Sequence, residues 1–384
     1  MTKSEITARL AGPVAAIGAE AWNACANPDA LADPHPFTRY EFFEAAEESG
    51  SATVQTGWRP LHLVIERGDA VQGVMPLYLK DHSQGEYVFD QGWADAFERA
   101  GGAYYPKLQA SVPFTPVTGR RLLAKNEETR NALLAAGAAA VSEFDASSLH
   151  ITFLKEDEWK AAGALGFLQR TDQQFHWKNK GYSSFDQFLA ELSSAKRKNL
   201  RKERAAVFAE GVEFEWLTGG EITEAHWDTF FAFYMDTGGR KWGRPYLTRE
   251  FFSRVGANMG EQIVLILAKR SGRCIAGALN FSGENVLFGR NWGCVEHIPF
   301  LHFETCYYQA IEFAIARGLK RVEAGAQGEH KLLRGYMPVA TYSAHFIAHP
   351  DLCRAVAAYL EQEREAVAEN IEALAAHGPF RKPQ

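Results

Sequence analysis

Cysteine is scarce and unorganised in this chain: Cys25, Cys274, Cys294, Cys306 and Cys353 are odd in number, widely spaced and never form a C-x-x-C pair. That excludes a disulfide framework and a paired-thiol redox motif, and it leaves reduced thiols in a cytoplasmic protein as the expected state. Long apolar runs are missing too. No window approaches the roughly 18 apolar residues of a membrane span. The alanine-rich start is broken by Glu5, Arg9 and Glu20 and has no basic leader, so no secretory signal is expected. No Walker A loop, no G-x-G-x-x-G and no G-x-S-x-G is present. His302-Phe303-Glu304 matches the H-x-E of nucleobase deaminases, but the P-C-x-x-C that must follow is absent, so no metal site is expected.

What is present reads as a globular protein larger than one core. The 384 residues predict two or three domains. Twenty-six phenylalanines and nine tryptophans supply well-filled cores. The net charge of −6 hides a local inversion: Lys196, Arg197, Lys198, Arg201, Lys202 and Arg204 against Glu203 give +5, so the remainder carries about −11. A cationic helix face on an acidic protein points to a phosphate-bearing partner or to a solvated surface; stacking on nucleic-acid bases would need aromatics inside the run, and there are none.

The chain says one thing twice. Leu63 to Gly73 reads strand, tight turn, strand, with Gly68 at the turn; Leu265 to Gly277 does the same with Gly272. Both place the turn and strand glycines five apart, at an offset of 204 residues. A second echo matches Tyr87 to Ala94 with Val286 to Gly293 through Trp93 and Trp292, offset 199. It predicts a strand at each place, with Asp90, Trp93 and Asp95 at the first strand's end. Helical spacing then predicts helices over 130–141 and 303–317, followed by strands at 149–154 and 319–324. Between the copies, Phe185, Phe188, Leu189 and Leu192 start a helix expected to run on through the basic cluster to about 208. An aromatic helix is expected from Glu224 to Met235, then a Gly238-Gly239 turn.

The densest chemistry lies between Glu323 and Tyr336, where three glycines separate carboxylates, an amide, an imidazole, an ammonium, a guanidinium and a phenol. Glycine permits positive φ and close backbone approach, so acid–base groups here stand beside exposed N–H donors, as acyl transfer requires. His330 is the first candidate for general base, because an imidazole titrates near neutrality. Glu323, at the end of a buried strand, is the second, its carboxyl raised by burial or paired with Arg321 or Arg290. Tyr336 is a candidate proton donor or a packed aromatic. Gln327, Glu329, Lys331 and Arg334 are candidate binding groups, with Arg290 and Asn291 on the preceding strand and Arg240, Lys241 and Trp242 on an acceptor rim. Lys196, Arg197, Lys198, Arg201 and Lys202 are candidates for donor phosphates.

With this duplicated order, the chain resembles the GNAT superfamily of N-acyltransferases in tandem, and more closely its Fem-type branch, linked to peptidoglycan biosynthesis or recognition. The matching residues are Gly325 to Lys331 with Arg334-Gly335, Ser193 to Arg204, Pro36-Phe37-Thr38, Glu47 to Gly50, and Pro338 to His345. The resemblance implies an α/β (α+β) fold of two tandem GNAT-like domains, 1–180 and 181–384, each a mixed, mostly antiparallel sheet flanked by helices. It implies that strands 285–292 and 321–324 splay apart around the acyl donor, with the first domain binding or scaffolding and the second doing chemistry. The implied activity is transfer of an acyl or aminoacyl group to a primary amine on a small molecule, peptide or peptidoglycan precursor. A non-catalytic precursor-binding protein and an acetyl-CoA-dependent N-acetyltransferase are the alternatives. The family's pyrophosphate pattern, [Gln/Arg]-x-x-Gly-x-[Gly/Ala], is met at Arg290 and Gly293 but not at Val295, so the donor stays open between acyl-CoA and aminoacyl-tRNA. No tightly bound cofactor is expected.

Overall fold

The computed structural model describes residues 6–27, 35–242, 245–325 and 328–381, with the side chains at 241 and 242 left out of the description. Among these residues fifteen strands form: β1 (Ile6–Leu10), β2 (Trp58–Pro60), β3 (Leu63–Arg67), β4 (Ala70–Met75), β5 (Leu77–Lys80), β6 (Lys107–Ala110), β7 (Leu123–Ala124), β8 (Ser148–Leu154), β9 (Leu168–Lys178), β10 (Val212–Thr218), β11 (Ile263–Arg270), β12 (Arg273–Ser282), β13 (Val286–Cys294), β14 (Arg321–Glu323) and β15 (Met337–Ile347). The chain divides into two compact units, Met1–Asp172 with Ala340–Glu369, and Gln173–Val339 with Asn370–Gln384. This replaces the single cut expected at residue 180. β9 and β15 each begin in one unit and end in the other, so an exchange of strands takes the place of a linker.

In the first unit β1, β3, β4 and β7 form one sheet, and the unit's part of β15 leads a second in the order β15-β8-β6-β5-β2. Helix Glu127–Glu143 covers the core built from Leu63, Met75, Leu108, Leu133, Val141 and Leu149. In the second unit the order is β10-β11-β12-β13-β14, closed by the 173–178 part of β9. The interior strand β11, next to the edge strand β10, buries six consecutive residues, Ile263 to Ala268, which is the unbroken apolar run that a strand covered on both faces requires. Its main core gathers Phe188, Leu287, Tyr308, Ile311, Val322 and Tyr336. Each such side chain contributes about 1.5–3 kcal/mol relative to exposure.

The hairpin repeat is present in the fold. Gly68 and Gly272 both take positive φ in the turns β3–β4 and β11–β12, and both hairpins carry a register shift just before the turn. The tryptophan echo is not. Tyr87 to Ala94 forms no strand, because Gln91–Arg99 is an amphipathic helix that buries Trp93 and Ala94; the parallel partner of β8 is β6 instead. Asp90 is therefore no strand end, and Asp95 lies exposed on the helix.

Two further expectations change. The 185–208 helix is two helices, Phe185–Glu191 and Ser194–Ala209, since Leu192 is taken into a bridge with Phe380 and the Ser193 N–H donates to the Pro379 carbonyl. Gly238-Gly239 is not a turn. The aromatic helix runs from Glu224 to Trp242, and a Cβ on Gly238 would lie 2.5 Å from Pro245 Cγ. No helix among the described residues is long and apolar enough to cross a membrane.

Candidate functional site

In the second unit β13 and β14 run parallel for three pairs, Val286 with Arg321, Leu287 with Val322 and Phe288 with Glu323. β14 then ends, while β13 continues to Cys294 along β12 alone. Among the described residues no strand lies beside the edge of residues 289–294, and the sheet forks. Opposite the fork, Gly289 pairs with Asn280 and Asn291 with Leu279. Arg290 is the extra residue of a β-bulge, a device that re-aims a side chain and interrupts pairing.

A small cleft of about 90 Å³ opens at this point, lined among others by Asn280, Arg290, Asn291, Trp292, His302 and Tyr307. Its helical wall is built from a π-turn, Glu304–Tyr308, set into the helix that follows β13. Such a turn shifts side chains off the regular helical face, and here it presents Cys306 and Tyr307 to the cleft. The turn is anchored from behind, where Arg204 holds the buried Glu304 carboxylate through Nε and Nη2.

The loop predicted to carry the chemistry meets this wall. His330 is exposed, and its Nε2 lies 2.9 Å from the Tyr307 hydroxyl. His330 thereby reaches the cleft through Tyr307. Burial raises the Tyr307 phenol above its ordinary range, so it stays protonated. Lys331 is buried, donates from Nζ to the Gly325 carbonyl at 2.9 Å, and is pulled down by burial to about 7, with the Arg290 charge adding to the fall.

Other expected site residues have structural work. Arg334 Nη2 donates to both Glu203 carboxylate oxygens at 2.8 and 2.9 Å, and Nη1 donates to the His330 carbonyl at 2.7 Å. Its Cζ also lies 3.5 Å from the Phe303 ring centroid. Tyr308 donates to the same Glu203 carboxylate. Arg334 is thus a clamp between the basic helix and the loop rather than a group awaiting substrate. Tyr336 is wholly buried, its hydroxyl bonded to the Tyr307 carbonyl at 3.3 Å; it is a core residue and not a proton donor. Glu323 is buried beside Arg321 (2.9 Å) and His176 (3.7 Å) and does not line the cleft. Burial pushes its carboxyl up to about 7 against the pull of Arg321 and Arg290, and burial holds His176 down at about 3.

Asn291 lines the cleft and Glu329 is exposed on the loop. Gln327 lies outside the described residues, as do the side chains of Lys241 and Trp242. Arg240 pairs with Asp236 and donates to the Cys294 carbonyl at the far end of β13. Of the basic run, Lys198, Arg201 and Lys202 are exposed and Lys196 and Arg197 half-buried, with Arg201 paired to Asp186. Gly293, an anchor of the pyrophosphate pattern, sits against the aromatic helix. A Cβ there would lie 2.2 Å from the Phe233 carbonyl group, so this glycine admits a helix and leaves no room for a phosphate.

The cleft residues that sequence reading missed are Tyr307, Cys306, His302, Trp292 and Asn280. Tyr307 fits the apolar face of its helix by spacing, and nothing in the local sequence signals the π-turn that redirects it.

In the first unit the same place is filled. β6 and β8 pair in parallel over Leu108 to Ala110, and the strand resumes only at β7, which pairs with β4. The twelve residues between, 111–122, are almost entirely buried; the Gly119 N–H donates to the Phe153 carbonyl of β8 at 3.0 Å. Buried Glu158 accepts from the Arg121 and Leu122 N–H groups and fixes the segment's end.

Two forked, mostly antiparallel sheets in one chain define a tandem GNAT fold. The chain belongs to the FemAB-like family, described as peptidoglycan biosynthesis/recognition, whose model matches residues 13–382. FemX is similar in structure with a TM-score of 0.55 at 14% identity, over 89% of this chain and 98% of FemX. L-PGS from Bacillus licheniformis follows at 0.51 and 10%, over 85% of this chain and 98% of that one. A tandem GNAT protein from the clavulanic acid biosynthesis pathway gives 0.49 and 11%, over 90% and 99%. No curated protein matches by sequence. At these identities the likeness is one of fold.

Proposed function

We propose that the second unit transfers an acyl group from an activated donor to a primary amine at the β13–β14 fork, in the peptidoglycan setting that the family description names. The observation that supports this most is the meeting, at one opening, of an unpaired strand edge with the Tyr307–His330 pair. The amine nitrogen attacks the donor carbonyl carbon directly. Its proton passes to the Tyr307 oxygen as the phenolic proton moves to His330, and the bond to the leaving group breaks as the tetrahedral carbon collapses. Backbone N–H groups of the open β13 edge and the Asn291 amide hold the oxyanion; losing one such donor typically costs about 10²–10³ in rate. Glu323 serves the site from behind, as a buried charge that tunes Arg290. The basic helix, with Lys196, Arg197, Lys198, Arg201 and Lys202, serves donor phosphates, which coenzyme A and tRNA share. The first unit, its fork filled by its own chain, serves recognition or scaffolding.

The test is mass spectrometry of reactions that pair an acyl-CoA donor or a charged-tRNA fraction with nucleotide-linked muropeptides and simple amines. An N-acylated product from either donor is expected. Tight precursor binding with no product from any donor would replace the enzyme by a binding protein.

A further inference from the structure

At the fork a pinned amide faces a glycine that packing does not require. Asn280 of β12 is 1% exposed, lines the cleft, and stands between Val264 of β11 and Gly289 of β13. Its Nδ2 donates to the Val264 and Ala278 carbonyls, both at 3.2 Å. A carbonyl oxygen only accepts, so the amide cannot turn over without losing both bonds, and Oδ1 is held on the side of Gly289. No donor among the described residues bonds that oxygen. A buried acceptor left so costs free energy until something supplies a hydrogen. The three glycines of β12 and β13 differ in what they allow. A Cβ on Gly293 would lie 2.2 Å from the Phe233 carbonyl group, and one on Gly277 would press on Leu267 and Phe230 at 3.1 Å. A Cβ on Gly289 would meet Asn280 Oδ1 and the Glu323 carbonyl at an ordinary 3.4 Å, and Ala324 Cα at 3.7 Å. The φ of Gly289 is not positive, so the bulge at Arg290 does not demand glycine either. A strand glycine of this kind marks a place where a ligand comes close: its missing side chain keeps the space in front of Asn280 Oδ1 open.

We infer that Asn280 Oδ1, above Gly289, is the seat of the attacking amine and accepts one of its N–H groups. This rests on the reading of the fork as an acyl-transfer site. Of the reacting groups only the amine can satisfy this oxygen, because the donor's carbonyl and its ester or thioester linkage carry no hydrogen to give. Asn280 exchanges no proton. It holds one N–H, which turns the nitrogen lone pair away from Oδ1 and leaves it free for the carbonyl carbon. In the same reading Asn291 donates to the oxyanion, so the two asparagines sort amine from acyl group by opposite polarity.

The test titrates the whole, isotope-labelled protein with methoxyamine, a primary amine that is uncharged at neutral pH, and with its N,N-dimethyl form, which has no N–H. A saturable shift of the Asn280 side-chain amide resonance is expected with the first probe and none with the second. That contrast is read on the natural chain and depends on no variant. Gly289→Ala, whose methyl group covers Oδ1 and leaves both amide bonds in place, should keep the melting temperature and weaken methoxyamine binding at least about tenfold. In reactions that give N-acyl product, the same variant should raise KM for the amine and leave KM for the donor alone. Equal shifts with both probes, no saturable shift, unchanged binding in a folded Gly289→Ala protein, or a raised KM for the donor alone would each overturn the inference. Saturable methoxyamine binding with no product from any donor would keep the amine seat and remove the transferase. Product formed by Gly289→Ala at an unchanged amine KM would keep the transferase and remove the seat.

Discussion

In the proposed mechanism His330 and Tyr307 divide between them what a single catalytic base usually does. The imidazole is solvent-exposed and outside the cleft lining, and the phenol is buried within it, so neither is complete alone. His330→Ala and Tyr307→Phe should each lower turnover by at least about tenfold with little change in melting temperature for the exposed histidine. Tyr336→Phe is expected to behave in the opposite way. Its hydroxyl makes one buried hydrogen bond to the Tyr307 carbonyl, so turnover should persist while stability falls by about 1 kcal/mol. Cys306 tests the direct route. It lines the cleft, yet the mechanism forms no bond to it, so Cys306→Ala should keep its turnover; trapping of an acylated Cys306 would contradict direct attack. Gly293→Ala places a methyl group where the Phe233 backbone already is and should destabilise by more than about 2 kcal/mol.

Among the elements, the hairpins, the helix after β13 and the polar loop after β14 were legible in the sequence because each has a local signature. Glycines sit five apart in the two hairpins, apolar residues recur at helical spacing, and polar chemistry is dense between glycines. What the sequence hid depends on contacts between distant residues. The break at Leu192 follows from pairing with Phe380, the redirected Tyr307 from a π-turn anchored by Arg204, and the role of Arg334 from Glu203, 131 residues away. The tryptophan match misled because one residue type served a strand in one half and a helix in the other. The Glu203–Arg334 clamp gives the clearest element-level prediction. Glu203→Gln removes the charge that holds the guanidinium, so amide exchange over 328–335 should quicken and turnover fall. Unchanged exchange would show that the loop holds itself.

At the scale of the molecule, the buried groups of both units give stability an unusual pH dependence. Glu323 and Glu158 are pushed up to about 7 by burial. Between their ordinary value of 4.5 and 7 these two groups hold protons in the folded state that they lack in the unfolded one, and their contribution to stability falls as pH rises through that window. Lys331 and Lys80 are pulled down to about 7; between 7 and 10.5 the unfolded state binds more protons, and stability rises again. Buried His150 and His176, held at about 3, act in the opposite sense between 3 and 6.5, so the contribution of Glu323 is read as a difference: the natural chain should lose on the order of 3 kcal/mol more than Glu323→Gln as pH rises from 4.5 to 7. Identical pH profiles for the natural chain and Glu323→Gln would contradict the burial of this charge. Neither unit boundary nor filled fork could be read from sequence, because strand exchange and the buried segment 111–122 are matters of topology.

The most direct test of a Tyr307–His330 relay at the fork is a double-mutant cycle on N-acyl product formation. If the two side chains act as one proton path, the Tyr307→Phe, His330→Ala double variant should be no slower than the worse single variant. Losses that multiply in full, or a double variant as active as the natural chain, would remove the relay from the chemistry.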